Sequence, residues 1–155
     1  MLWTFPPKPM RMSIKDLAGF NPKEWFAQIK YDGHHALPLQ ERGQTKVLSR
    51  HKKPLKVSDS LMSHIAGLGL PDDTMLDAEW TSRREKHKTE ELYLFDVLWW
   101  GGKWVGDKPF EERYKLLTQI ILPPSIIIVK NIQEPDSSDE WDEDDERERG
   151  EGQTN

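Results

Sequence analysis

Short apolar runs, separated by glycine, proline and aspartate, dominate the hydrophobic pattern of this chain. Such runs are typical of β-strands joined by turns. Alternation of apolar and polar residues predicts a strand over Trp25–Tyr31, and Asp32–Gly33 predicts a hairpin turn into a second strand through Ala36–Leu39. Further strands are predicted at Lys46–Ser49, Met75–Trp80, Leu92–Trp99 and Ser125–Val129.

Two segments have helical periodicity instead. In Ser58–Leu68 the apolar residues Leu61 and Ile65 share one helix face, and Ser58 is placed to cap the first turn. The segment Phe110–Ile120 is amphipathic in the same way. A few helices among mostly antiparallel strands indicate an α+β fold, with antiparallel β-sheets flanked by helices.

The bulk composition limits the class of protein. The chain has 155 residues, enough for one domain with a modest core, and no apolar run approaches the roughly 18 residues of a membrane span. The start of the sequence, Met1–Pro7, has no basic region followed by an apolar one, so we expect no signal peptide. Cysteine is absent, which rules out disulfides and cysteine-ligated zinc. We therefore expect a cytoplasmic protein of a reducing compartment, without a membrane partner.

The formal net charge of −5 conceals two parts of opposite sign. Residues 134–155 contain 11 of the 27 acidic residues and 2 of the 22 basic ones, which leaves 16 acidic and 20 basic residues in 1–133. We expect 1–133 to form the folded core. The acidic segment 134–155 is either a disordered tail or a charged helix around Trp141. A mildly basic core is compatible with a polyanionic partner.

Lys30 is the strongest candidate for a reactive residue. It lies two residues before the Asp32–Gly33 turn, at the end of an apolar run. A lysine amine attacks as a nucleophile when burial or neighbouring cations lower its pKa. Taken alone, however, the segment is also typical of a surface lysine before a tight turn.

Four further segments follow Lys30 in order: Ser49–Arg50, Leu76–Glu79, Leu94–Val97 with a glycine turn behind it, and Phe110–Arg113. This series resembles the nucleotidyltransferase (adenylation) domain of ATP-dependent DNA ligases, from about residue 10 to about residue 152. That family is itself similar to RNA ligases and mRNA capping enzymes. The resemblance implies an ATP-grasp-like covalent nucleotidyltransferase domain that is truncated near its fourth motif.

The resemblance assigns a chemical role to Lys30. Its amine would attack the α-phosphate of ATP, release pyrophosphate and carry AMP as a phosphoramidate. Lysine is the catalytic residue in this scheme, and its neighbours in the motif would bind the nucleotide with it. The resemblance implies cofactor-binding roles for Gln28, Ile29, Lys30, Asp32, Gly33, Arg50, Glu79 and Phe95.

Individual roles follow from the same resemblance. Arg50 would contact the ribose and later the nucleic-acid phosphates, and Phe95 would stack on adenine. Glu79 would lie near the ribose and the metal, and Glu151 would bind the catalytic metal. Mg²⁺ prefers such oxygen ligands, and a divalent cation neutralises the charge of a triphosphate in its transition state. ATP and Mg²⁺ are therefore the expected cofactors.

Each of these residues also has a structural interpretation. Glu79 could be the outward residue of an amphipathic strand, and Phe95 lies in an apolar run that is typical of core. Arg50 precedes His51–Lys53, so a solvated basic loop is the ordinary interpretation there. Only the order of the motifs favours the functional roles.

Three positions depart from the family pattern. His35 stands where the family has arginine, and Ala78 stands where it has glycine. After Glu151–Gly152 the family continues with a buried strand, a Lys-x-Lys pair and an oligonucleotide-binding domain, whereas this sequence ends at Asn155. We therefore expect a fragment, one half of a split enzyme that a C-terminal half would complement, or a degenerate copy.

The function implied first is that of an ATP-dependent DNA ligase of bacterial or phage origin. It would join the 5′-phosphate and 3′-hydroxyl of nicked duplex DNA in repair, replication or recombination. An RNA ligase or a capping-type nucleotidyltransferase is the alternative within the same chemistry. An inactive module that only binds nucleic acid or a partner chain is the alternative outside it, and an unrelated α+β domain is the last.

Overall fold

The computed structural model describes residues 1, 3, 6, 10, 12–21, 23–82 and 89–132. Strands predominate, and helices are short. In chain order the elements are α1 (Ile14–Leu17), β1 (Ala27–Gln28), β2 (His34–Glu41), β3 (Gln44–Leu48), α2 (Asp59–Ala66), β4 (Thr74–Thr81), β5 (Glu91–Trp100), β6 (Lys103–Trp104), α3 (Phe110–Thr118), β7 (Ile126–Ile128) and β8 (Asn131–Ile132).

Six of the strands form one sheet in the order β3-β2-β4-β5-β6, with β7 also paired to β5. All neighbours are antiparallel except β7, which runs parallel to β5 from Leu92↔Ile126 to Leu94↔Ile128. Strands β4 and β5 lie in the middle of this sheet, and each contributes apolar residues such as Leu76 and Leu94 to the main core. The predicted α+β class with antiparallel sheets is confirmed.

The main hydrophobic core lies on one face of this sheet. Ala78 and Leu94 belong to it from β4 and β5, and Leu61, Ile65 and Leu117 pack there from helices α2 and α3. A smaller cluster is built from Leu37, Leu39, Met75 and Leu98, with Met1 and Trp3 packed against it. Because side chains alternate along a strand, the residues of β2 and β4 between the main-core positions lie on the opposite face.

The predicted helices are both present, at α2 and α3. Ser58 caps α2 as expected, since its side chain accepts the Leu61 N–H. The Ser58 amide also donates to Glu90, whose carboxylate accepts the indole N–H of Trp80. The start of α2 is therefore fastened to the ends of β4 and β5.

The predicted hairpin at Asp32–Gly33 is wrong. The strand expected over Trp25–Tyr31 is reduced to β1, which pairs with β8 at Ala27↔Ile132 and not with β2. Strand β2 pairs instead with β3 and β4. The alternation of residues was correct evidence of extended chain, but it carries no information about which distant strand is the partner.

The chain divides into two compact units. Of the described residues, one unit contains 1, 3, 6, 30–82 and 89–129 with the six-stranded sheet, and the other contains 10, 12–21, 23–29 and 130–132 with the β1–β8 pair. The predicted boundary at 133/134 stays a prediction, because residues 133–155 lie outside the described part of the chain. In the part that is described, no helix combines the length and apolarity that a membrane crossing requires.

Candidate active site

A row of polar side chains lies on the sheet face opposite the main core. Strand β4 places Asp77 and Glu79 two residues apart, on the same side as each other. The sheet register sets His35 of β2 opposite Glu79, and Tyr93 of β5 opposite Glu79 on the other side. Three neighbouring strands therefore bring His35, Glu79 and Tyr93 together.

His35 and Asp77 form a largely buried polar contact on this face. The imidazole Nε2 is hydrogen-bonded to Oδ1 of Asp77. This bond to the carboxylate raises the pKa of His35, and Glu79 adds to the effect while Arg50 opposes it. Burial raises the pKa of the Asp77 carboxyl, and the bond to His35 acts in the opposite direction. Burying either side chain without a partner would cost free energy, and the hydrogen bond between His35 and Asp77 reduces that cost.

Glu79 faces the segment that contains Lys30. Its carboxylate accepts a hydrogen bond from the Gly33 N–H and interacts electrostatically with both Lys30 and His35. Burial raises the pKa of Glu79, and these three neighbours counteract the rise. The half-buried carboxylate therefore has one backbone donor and two basic side chains beside it.

The backbone of Gly33 lies very close to the backbone of strand β4. A Cβ atom at this position would lie 3.0 Å from the carbonyl carbon of Trp80, closer still to its oxygen, and 3.3 Å from Cγ of Glu79. A backbone approach of this kind is one of the two reasons for which proteins require glycine. The motif glycine therefore allows the loop to reach Glu79.

Tyr31 fixes the other side of the same loop. Its ring stacks on that of Tyr93, with centroids 3.7 Å apart and planes 10° from parallel. The Tyr93 hydroxyl donates to Glu91, and burial raises the pKa of Tyr93 to about 12, so the phenol remains a donor at neutral pH. The segment from Lys30 to Gly33 is held against β5 by one residue and against β4 by another.

Lys30 and Asp32 themselves are exposed. Arg50 is half-buried in the turn that follows β3, and its charge reaches His35. That turn is shaped by Ser49, whose side-chain oxygen accepts the amides of His51 and Lys53. The structure thus brings Lys30, Arg50 and Glu79 within electrostatic reach of the His35–Asp77 pair or of one another.

Phe95 lies at an irregularity in the β4–β5 ladder. Asp77 pairs with Asp96 and Ala78 pairs with Leu94, so Phe95 has no partner between them. Bulges of this kind redirect a side chain. The half-buried Phe95 ring lies 6.1 Å from the His35 ring, between centroids. An aromatic surface is therefore available on the polar face.

The residue after Phe95 links two of the motifs. Asp96 accepts two hydrogen bonds from Arg113 of α3, at 2.8 Å from Nε and 3.1 Å from Nη2. Arg113 also donates to the Lys108 carbonyl and lies over the Phe110 ring. The bidentate pair anchors α3 to β5 directly beside Phe95.

The remaining candidates lie elsewhere. Gln28 and Ile29 belong to the second unit, where the Gln28 side-chain amide donates to Asn131. Glu151 lies outside the described residues, so its metal-binding role stays a prediction. Across the described ranges, no three histidine, cysteine or acidic residues cluster as a metal site. A single carboxylate such as that of Glu79 can nevertheless suit Mg²⁺, because this ion usually binds through one or two carboxylates together with substrate phosphates and water.

The sequence motifs did not reveal three of these contacts. The His35–Asp77 bond, the Tyr31–Tyr93 stack and the Arg113–Asp96 pair each join residues from separate segments. The spacing of Asp77 and Glu79 was the one local signal, since residues two apart on a strand share a face.

Comparison with known proteins agrees with the motif analysis. No protein-family model matches the chain. It is 24% identical over 140 residues to the SPbeta prophage-derived DNA ligase-like protein LigB of Bacillus subtilis (strain 168). The match covers 78% of this chain and 50% of that relative, so the chain spans about half of the relative's length.

The fold is also found in a solved ligase structure. The crystal structure of the ligase domain from M. tuberculosis LigD superposes with a TM-score of 0.53 at 19% identity, covering 74% of this chain and 42% of that one. The chain is therefore similar in sequence to a DNA ligase-like protein and in fold to a ligase domain, as the ordered motifs indicated. The α+β fold is that of this solved ligase domain.

Proposed function

We propose that this chain is the adenylation domain of an ATP-dependent DNA ligase. The observation that carries the proposal is the arrangement around Glu79. Its carboxylate binds the backbone of Gly33 and interacts with Lys30, while Phe95 lies against His35 on the same unit. Interactions thus run from Lys30 to Glu79, from Glu79 to His35 and from His35 to Phe95, which supports a shared site for these residues. The similarity to ligases in sequence and fold supports the same function.

The proposed reaction is nucleotidyl transfer to Lys30. The unprotonated amine attacks the α-phosphorus of ATP, so that an N–P bond forms as the bond from that phosphorus to the bridging oxygen breaks. Pyrophosphate takes the electron pair of the broken bond, and the amine loses a proton to solvent. A half-buried Glu79 beside the exposed lysine and the cation of Arg50 provide charges that can orient a nucleotide there.

The other residues of the site bind and orient the nucleotide. Phe95 offers a flat apolar face to a purine. Arg50 is a suitable partner for phosphate or ribose because its guanidinium carries several donors in fixed geometry. Gly33 keeps the loop close to β4 and so keeps Lys30 near Glu79. When Mg²⁺ is bound with the triphosphate, it supplies charge neutralisation, and Glu79 is the described residue that would hold it.

The proposed substrate of the later steps is nicked duplex DNA. The AMP on Lys30 would pass to a 5′-phosphate, and the 3′-hydroxyl would displace it. The similarity to the DNA ligase-like protein of Bacillus subtilis supports DNA as the polymer. The basic residues that follow β3, Arg50 and His51–Lys53, are exposed or half-buried and suit contacts to phosphates.

One observation favours a second candidate, a module that binds nucleic acid without transferring AMP. His35 occupies the position of the family's arginine, and its Nε2 is occupied by Asp77. A histidine held in this way is shorter than arginine and has fewer donors to offer a phosphate.

Labelling with nucleotide separates the candidates. The protein is incubated with Mg²⁺ and α-labelled ATP or GTP, denatured, and tested for bound label. A ligase domain acquires label from ATP, and added pyrophosphate removes it as ATP. Label from GTP alone indicates a capping-type enzyme. Salt-sensitive binding to nicked duplex by a folded protein that acquires no label indicates the binding module.

A further inference from the structure

The loop that holds Lys30 is fixed to the sheet by contacts at both of its ends. Gly33 fixes its C-terminal end through the bond to Glu79 and the close approach to Trp80. At the other end the residue next to Lys30 is Tyr31, whose ring lies flat on Tyr93 at 3.7 Å between centroids. These contacts restrict the backbone of the loop, so that the remaining freedom of Lys30 is mainly that of its side chain.

The position of Tyr93 explains why this stack matters. Tyr93 is the register partner of Glu79 on the neighbouring strand. Tyr31, stacked on it, is thereby placed beside the carboxylate that interacts with Lys30. Tyr93 is itself held by the hydrogen bond from its hydroxyl to Glu91. Because the Tyr93 ring is held in place, the stack fixes the position of Tyr31 and therefore of the neighbouring Lys30 backbone.

We infer that Tyr31 is a positioning residue for the Lys30 nucleophile, and that its stack on Tyr93 holds Lys30 beside Glu79. The inference rests on the proposed function, since it concerns the attack of Lys30 on a nucleotide. Tyr31 is not assigned a contact with ATP. The stack increases the fraction of time that the Lys30 amine spends within reach of the α-phosphate. A loss of the stack therefore lowers kcat and leaves nucleotide binding nearly unchanged.

Two variants of Tyr31 test this in the full chain. Tyr31→Phe keeps the aromatic ring and serves as the matched control, and Tyr31→Leu keeps an apolar side chain but removes the stack. The rate of covalent AMP formation is measured against ATP concentration. Tyr31→Leu is expected to lower the maximal rate about 10- to 100-fold with little change in the ATP concentration for half-maximal rate. Tyr31→Phe is expected to remain close to wild type.

A double-mutant cycle with Tyr93→Leu tests the coupling. If the two rings act as one unit, Tyr31→Leu has little further effect once Tyr93 is replaced. A double variant whose loss equals the sum of the two single losses, or equal rates in Tyr31→Leu and wild type, would overturn the inference while the proposed function stands.

A second measurement does not depend on AMP transfer. Amide hydrogen exchange at Gly33 reports whether the loop stays bonded to Glu79. Exchange at Gly33 is expected to be faster in Tyr31→Leu than in Tyr31→Phe, with exchange in the core of β4 unchanged. If the wild-type chain acquires no label, the proposed function fails and this exchange result alone decides: equal exchange in both variants overturns the positioning role.

Discussion

Gly33 and Trp80 are in closer backbone contact than any side chain at position 33 would permit. The space for a Cβ is filled by the Trp80 carbonyl group, 3.0 Å from its carbon. This contact lets the Gly33 amide reach Glu79, and it places the loop of Lys30 over strand β4. The glycine of the motif is thus explained by geometry, without reference to a bound nucleotide.

Replacing Gly33 by alanine is expected to destabilise the chain. The methyl group would force β2 and β4 apart or displace the loop, at a cost of about 1–3 kcal/mol in the free energy of unfolding. Denaturant unfolding measures the loss. Gly19→Ala is the matched control, because a Cβ there meets one backbone atom at an ordinary 3.4 Å. Equal stability of the two variants would show that the Gly33 contact is looser than described.

The Arg113–Asp96 pair is expected to contribute to stability through its geometry as well as its charge. Arg113→Lys keeps the charge but loses the bidentate bonds to Asp96 and the bond to the Lys108 carbonyl. A loss of about 1–3 kcal/mol in unfolding free energy is expected. Lys115→Ala, on the exposed side of α3, should change it by less than about 0.5 kcal/mol.

The stability of the fold is expected to depend on pH through His35. Asp77 raises the pKa of His35 in the folded protein, so the folded state binds the proton more tightly than the unfolded chain does. The stabilisation is complete below the ordinary histidine pKa of about 6.5 and disappears as the pH rises through the raised pKa. The wild-type advantage over His35→Gln in unfolding free energy should therefore be larger at about pH 6 than at about pH 9. An advantage that grows with pH would contradict this direction.

Glu79→Gln separates the charge of this residue from its structural bond. Glutamine retains an oxygen that can accept the Gly33 N–H but removes the negative charge near Lys30. Formation of the AMP adduct is expected to fall about 10²-fold or more, with the melting temperature little changed. Glu41→Gln, at the end of β2, is the control and should leave the rate unchanged. A full rate in Glu79→Gln would remove Glu79 from the chemistry.

Local pattern predicted the elements better than their partners. Helices α2 and α3 and the central strands were predicted because their apolar periodicity is contained within each segment. The pairing of β1 with β8 and of β7 with β5 joins residues far apart in the chain, and no local signal specifies it. Helix α1, four residues long, has too few apolar positions to show a period.

The site shows the same division. The order of motifs selected Lys30, Gly33, Arg50, Glu79 and Phe95, and the structure places these residues on one compact unit. The contacts that hold these residues in place were not predictable, because they depend on the register between neighbouring strands. His35 meets Asp77 through the β2–β4 pairing, and Phe95 is exposed to His35 by an irregularity in the β4–β5 ladder.

Covalent attachment of AMP to Lys30 is the most direct test of the proposed function. Wild type and Lys30→Ala, both shown to be folded, are incubated with Mg²⁺ and α-labelled ATP and separated on a denaturing gel. We predict a labelled wild-type band that pyrophosphate removes, and no label on Lys30→Ala. Label that persists in Lys30→Ala would place the chemistry on another residue, and a folded wild-type chain without label would contradict an active adenylation site.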